Sequence, residues 1–110
     1  MRLMIDLITA NETLDGYRVR AWTGVAVDEG IGLISIVEVT DSAGRAVCLF
    51  EEFLDASVRN LDPAWPPDDT EAARRLQSRA LDRAHAAITA GQLDKLNGHR
   101  FEQGNRRDSP

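Results

Sequence analysis

The apolar residues of this sequence change their spacing once, at a proline-rich segment near the middle of the chain. Pro63, Pro66 and Pro67 fix φ and remove backbone donors, which excludes regular helix and central strand. Before this segment apolar residues alternate with polar ones, as in half-buried strands; after it they recur with helical spacing. The change predicts an α+β fold in which several strands precede one long helix.

Four segments have the alternation or the β-branched composition of strands, and 32–40 has the clearest signal. Asp41 and Gly44 suit a tight turn after it, so a hairpin is expected there. The predicted sheet is an antiparallel β-meander of three to four strands. Residues 51–61 fit a strand or a helix, and both interpretations stay open. The predicted strands are 2–9, 17–27, 32–40 and 45–50.

The long helix is predicted at 69–90. Asp68 and Glu71 have the spacing of a capping box, and Gly91 is suited to end the helix. Its apolar stripe is rich in alanine, so the helix can lie close to one face of the sheet. The stripe consists of Ala73, Leu76, Ala80, Ala84 and Ala87, flanked by Leu81 and Ile88.

The length of 110 residues fits one domain, predicted at 1–96, with 97–110 as a flexible tail. Cys48 is the single cysteine, so an intrachain disulfide is excluded and a cytoplasmic setting is expected. No stretch approaches the roughly 20 apolar residues that span a membrane. Arginine far outnumbers lysine, which indicates a GC-rich bacterial genome.

Candidates for catalysis are few, and we expect no enzyme, no metal site and no cofactor. His85 follows Asp82 by three residues on the helix, and this pair could do acid–base work in a cleft. A histidine at the surface is the more common outcome. Cys48 stands among apolar neighbours, which favours a buried, inert thiol over a nucleophile.

The acidity of the chain belongs to its N-terminal part. The net charge is −5, and residues 1–68 carry five basic and twelve acidic side chains. Such a field repels polyanions and attracts basic proteins. The leading hypothesis is a non-catalytic protein-interaction module, similar to an antitoxin, immunity protein or inhibitor. Its predicted partner-binding residues are Glu51, Glu52, Asp55 and Trp65.

A cluster of arginines on the predicted helix supports an alternative, nucleic-acid binding. Arg75, Arg79 and Arg83 recur every four residues, and Arg74 lies nearby. Arginine forks suit phosphates and acidic partners. A solvated helix face is the competing interpretation, with Glu71 paired to Arg75.

The element order, with the strand Tyr17–Trp22, the hairpin at Asp41–Arg45 and the alanine-rich helix, resembles small bacterial HicB-like proteins. Their partial fold is similar to double-stranded-RNA-binding domains. The resemblance covers about residues 17–91, and the insertion at 51–68 departs from it. It implies an antitoxin-like role or an RNA contact at the helix start, where Arg74 and Arg75 match.

Homodimerisation is a further expectation that the sequence leaves open. Three surfaces could carry it: the edge of the first strand, the edge of the returning strand 45–50, and the small-residue face of the helix.

Overall fold

The computed structural model describes residues 4–26, 32–55 and 70–103, which form a five-stranded sheet with a long helix across one face. The first four strands pair antiparallel in chain order, and the fifth joins the fourth in parallel. The predicted α+β meander with its packed helix is confirmed. The elements are β1 (Met4–Leu14), β2 (Tyr17–Ala26), β3 (Gly32–Thr40), β4 (Ala46–Asp55), α1 (Thr70–Ala90), α2 (Leu93–Leu96) and β5 (Arg100–Gln103).

Strand β1 runs five residues beyond its predicted end at residue 9. The turn that follows it contains only Asp15 and Gly16, whose φ angles are 53° and 85°. Positive φ at both positions is the signature of a type I′ turn, which matches the twist of the two strands that it joins. Leu14 therefore pairs directly with Tyr17. The first two residues of the predicted strand, 2 and 3, lie outside the described residues.

The hairpin between β3 and β4 is confirmed. The Gly44 amide donates to the Asp41 carbonyl at 2.9 Å, and Gly44 has a φ of 87°. The Asp41 carboxylate accepts hydrogen bonds from the Ala43 and Arg45 amides. The bond from the Arg45 amide is the main reason that the pKa of Asp41 lies below its usual value.

Strand β4 extends to Asp55, five residues past its predicted end, so 51–55 is strand. The alternation of a strand continues through this segment: Glu52 faces the same side of the sheet as Phe50, and Phe53 faces the other side. Residues 56–61, the linker 62–67 with Trp65, the capping residue Asp68 and the first predicted helical residue, 69, lie outside the described residues.

Helix α1 covers one face of the sheet, called the covered face below. Its predicted alanine stripe is buried: Ala73, Ala80 and Ala84 are fully inaccessible to solvent. Small side chains let the helix approach the sheet closely, and most of the facing strand residues are large or branched. Those strand residues are Val19, Ala21, Val25, Leu33, Val37, Val39, Cys48 and Phe50.

Gly91 ends α1 as predicted. It has a φ of 68°, its amide donates to the Ile88 carbonyl, and the Gln92 amide donates to the Ala87 carbonyl. This pair of bonds is the Schellman motif. Leu93 and Leu96 of α2 then pack against the core.

The tail predicted at 97–110 is part of the fold up to residue 103. Asn97 accepts a hydrogen bond from the Leu49 amide, and the Gly98 amide donates to the Leu49 carbonyl, both at 2.7 Å. Strand β5 continues this pairing along β4. The Phe101 ring packs edge to face against the Phe50 ring, with the two centroids 6.2 Å apart, and this contact stabilises the position of β5. Residues 104–110 lie outside the described part.

Candidate functional site

The face of the sheet opposite α1, called the open face below, presents two neighbouring rows of side chains. One row runs from Asn11 through Arg20 and Glu38 to Leu49, and the next runs from Thr9 through Trp22 and Ile36 to Glu51. Strand alternation turns these side chains away from the buried residues of the covered face. None of these eight residues is buried, so both rows meet solvent.

Arg20 and Trp22 form the centre of the open face. The Arg20 guanidinium lies 5.1 Å from the centroid of the Trp22 ring, a cation–π contact. Both side chains are half-buried, and with Thr9 and Asn11 they line a concavity of about 460 Å³. A flat indole beside a concavity can receive a protruding apolar or aromatic group of a partner.

Apolar surface continues from Trp22 across the open face. Ile36 is half-buried beside it, and the Leu49 residue is 50% exposed, although it lies within a paired strand. Charged residues of both signs surround this apolar strip. Arg20 is opposite Glu38 in register, and Glu51 lies 3.6 Å from the Arg100 guanidinium. An apolar centre with a mixed polar rim is typical of protein-binding surfaces.

The predicted acidic set does not form one surface. Glu51 and Glu52 are consecutive in β4 and therefore point to opposite faces. Glu52 is 1% exposed beneath α1, where it accepts a hydrogen bond from the Arg83 guanidinium. Glu51 lies on the open face, Asp55 ends β4, and Trp65 is outside the described residues.

A row of polar residues lies buried on the covered face, and the sequence analysis missed it. The Thr23 hydroxyl donates to Ser35 at 2.8 Å and accepts from the Gln77 amide at 3.0 Å. The same Gln77 nitrogen also lies 3.3 Å from the Ile8 carbonyl. Thr23, Ser35 and Glu52 are aligned across three strands. The sequence does contain a signal for this row, because the polar residues Thr23 and Ser35 are each next to a large apolar residue, Trp22 or Ile36.

The helix arginines divide into two groups. Arg74, Arg75 and Arg79 are exposed, and Arg75 pairs with Glu71 at 3.4 Å as the solvated interpretation predicts. Arg83 is partly exposed and contacts the sheet instead. It is bonded to Glu52, and its guanidinium lies 4.1 Å from the centroid of the Phe101 ring. The predicted ridge of four arginines is therefore reduced to three exposed ones.

His85 contacts a carboxylate of the sheet. Its Nε2 atom lies 3.1 Å from Oε1 of Glu12 on β1, and both side chains are a little over one-third exposed. Asp82, its expected partner, is exposed on the helix surface. Cys48 is 2% exposed, and burial raises the pKa of its thiol, in agreement with an inert core cysteine.

Within the described ranges, no group of three or more histidine, cysteine, aspartate or glutamate residues could hold a metal ion. Among the same residues, no helix is long and apolar enough to cross a membrane.

No protein-family model, curated protein or solved structure matches this chain. The resemblance to HicB-like proteins stays a prediction.

Proposed function

We propose that this chain is a small non-catalytic protein-interaction module that binds its partner on the open face. The observation that carries the proposal is an inversion in the middle of the sheet. Apolar Trp22 and Ile36 lie on the solvent side, while polar Thr23 and Ser35, one residue away along the same strands, are buried. A sheet that served stability alone would have the opposite arrangement.

The composition of the open face favours a protein over a nucleic acid as the partner. Tryptophan and arginine are enriched in the energetically important centres of protein interfaces. Glu38 and Glu51 stand among the arginines of this face and would repel phosphates. The net charge of −5 adds long-range attraction to a basic partner. This fits a cytoplasmic bacterial antitoxin-, immunity- or inhibitor-like protein.

Nucleic-acid binding through α1 is the second candidate, because Arg74, Arg75 and Arg79 remain exposed on one helix. It predicts an affinity for RNA that falls with salt and weakens when these arginines are removed. The two candidates place the binding surface on opposite sides of the molecule.

Affinity capture from the host lysate, with and without nuclease, separates the candidates. Three tagged chains are compared: the wild type, an open-face variant with Leu49→Asp and Glu38→Lys, and a helix variant with Arg74→Glu and Arg75→Glu. The altered side chains are partly or fully exposed, so each variant is expected to fold, which circular dichroism checks. We expect a stoichiometric protein that survives nuclease and is lost with the open-face variant alone. Capture lost with nuclease or with the helix variant alone would contradict the proposal.

A further inference from the structure

The described sheet has two edge strands, β1 and β5, and β1 with its eleven residues offers a longer edge for another chain than β5 with its four. Among the described residues, β1 pairs with β2 alone, whereas the edge of β4 is occupied by β5. The small-residue face of α1 is buried against the sheet. Of the three surfaces that could join two copies, the edge of β1 is therefore the one left available.

The turn at Asp15 and Gly16 determines which backbone groups of β1 point outward. In a tight turn the carbonyl of the first residue accepts from the amide of the fourth, so Leu14 and Tyr17 form a hydrogen-bonded pair. Hydrogen-bonded and non-bonded pairs alternate along an antiparallel ladder. The amides and carbonyls of Thr9, Asn11 and Thr13 consequently point away from β2.

This stretch of the edge has few of the features that protect sheet edges from pairing, and its one charged residue, Glu12, contacts His85 of α1. Residues 8–14 contain no proline and no lysine, and the bulge of β1 lies before them, between Asp6 and Ile8. Thr9, Asn11 and Thr13 are all exposed and uncharged. Nothing in these side chains opposes the approach of another strand.

We propose that β1 pairs antiparallel with β1 of a second copy around a twofold axis at Asn11. In this register Asn11 faces Asn11 of the second copy, and Thr9 faces its Thr13. Each opposed pair of outward-pointing residues exchanges two hydrogen bonds, so all three residues are used. Moving the axis to Thr9 brings the bulge into the ladder, and moving it to Thr13 brings in the turn. Opposed threonines are also a favourable cross-strand pair.

The inferred dimer goes beyond the proposed function and does not depend on it. Pairing at β1 extends the sheet of one copy into that of the other, and the two open faces become one continuous surface. The module would then present two identical binding sites, Trp22 to Trp22, on a single sheet.

Cysteine cross-linking tests both the dimer and its register. Directly opposed residues in the proposed ladder have Cα atoms about 5.5 Å apart, within the range of a disulfide. Asn11→Cys should therefore give a disulfide-linked dimer under mild oxidation. In the matched control Thr9→Cys, the two cysteines are four residues out of register, about 13 Å apart, and should stay reduced. Because the native Cys48 is buried, cross-linking of the unaltered chain under the same oxidation measures the background.

A second measurement keeps the test independent of oxidation. Light scattering should give twice the 12.1 kDa mass for the wild type, and the chain mass for either Asn11→Lys or Asn11→Asp. Mixing these two variants should restore the dimer, because opposite charges then meet at the axis. A wild type that stays monomeric at millimolar concentration overturns the proposal, and so does cross-linking of the Thr9→Cys chain in place of the Asn11→Cys chain. If the wild type is a monomer and Asn11→Lys abolishes capture of a different protein, the edge of β1 binds that protein and not a second copy.

Discussion

Two rows of residues in the middle of the sheet, one buried and one facing solvent, differ in the polarity of their side chains. Thr23, Ser35 and Glu52 lie under α1 and are buried, whereas Trp22, Ile36 and Glu51 lie one residue away on the open face. The buried row is polar and the outer row is mostly apolar. This difference shows that residue polarity alone does not identify the solvent side of a strand.

Hydrogen bonding explains how the buried row is tolerated. Thr23 has partners in Ser35 and Gln77, and Glu52 has one in Arg83, so burial does not leave these groups unsatisfied. A fully bonded polar network also fixes how the helix sits on the sheet. On the open face Trp22, Ile36 and Leu49 remain accessible to a partner, whereas Ile34 and Phe53 of the same face are buried.

Among the changes considered, removal of Arg83 should reduce the free energy of unfolding the most. Arg83→Ala leaves the buried Glu52 carboxylate without this guanidinium, and removal of one member of a buried ion pair costs about 3 kcal/mol. Because Arg83 itself is partly exposed, the lower end of the usual range is expected. Urea unfolding measures the loss. Arg75→Ala on the exposed side of α1 is the control and should change stability by less than about 0.5 kcal/mol.

A larger side chain in the alanine stripe should have the next largest effect. Ala84 is fully buried against the sheet, so Ala84→Leu forces the helix and sheet apart and costs about 2 kcal/mol. Ala86 is exposed two residues along the same helix, and Ala86→Leu should be nearly neutral. Equal melting temperatures for the two variants would contradict the close packing described for α1.

Removal of the Thr23 hydroxyl tests the buried row itself. Thr23→Val keeps the shape but leaves Ser35 and Gln77 each without one partner, at a cost of about 1.5 kcal/mol. Gln77→Leu should cost less in this background than in the wild type, because one of the two hydrogen bonds of the Gln77 amide is already lost. A double-mutant cycle by chemical denaturation measures the coupling. Simple additivity of the two changes would show that the hydrogen bond contributes nothing.

The smallest effect on stability is expected on the open face. Leu49→Thr keeps a good strand residue at a half-exposed position and should change the free energy of unfolding by less than about 0.5 kcal/mol. The same change should weaken capture of the partner. If Leu49→Thr lowers stability but leaves capture unchanged, the open face contributes to folding and is not the binding surface.

Local patterns predicted much of this fold. The hairpin at Asp41, the alanine stripe of α1 and its end at Gly91 depend on neighbouring residues and were correctly predicted. The longer β1 also had a local signal, since Asp15 and Gly16 form a dipeptide typical of two-residue hairpins. The predicted strand ends at residue 9 because the polar residues 11–13 are typical of a turn.

The parts that were not predicted depend on contacts between distant residues. Strand β5 has a single large apolar residue, Phe101, and its docking begins where Asn97 meets Leu49, 48 positions away. Glu52 and Arg83 are 31 positions apart. A carboxylate in an acidic segment looks solvated unless its buried partner is known, so the acidic set was grouped on one surface. The candidate site on the open face likewise needed the strand register, which brings Trp22, Ile36 and Leu49 together.

The docking of residues 97–103 has a consequence for how the chain can assemble. A chain that ended at Leu96 would lose β5 and uncover the edge of β4 while the edge of β1 stayed free. Two different edges on one molecule join head to tail, and such contacts do not close. In the full chain the second edge is β5, whose four residues offer less backbone for pairing than the ten of β4, so the shortened chain is expected to form open fibres more readily. The last strand thus shields the long edge of β4 from pairing with other copies.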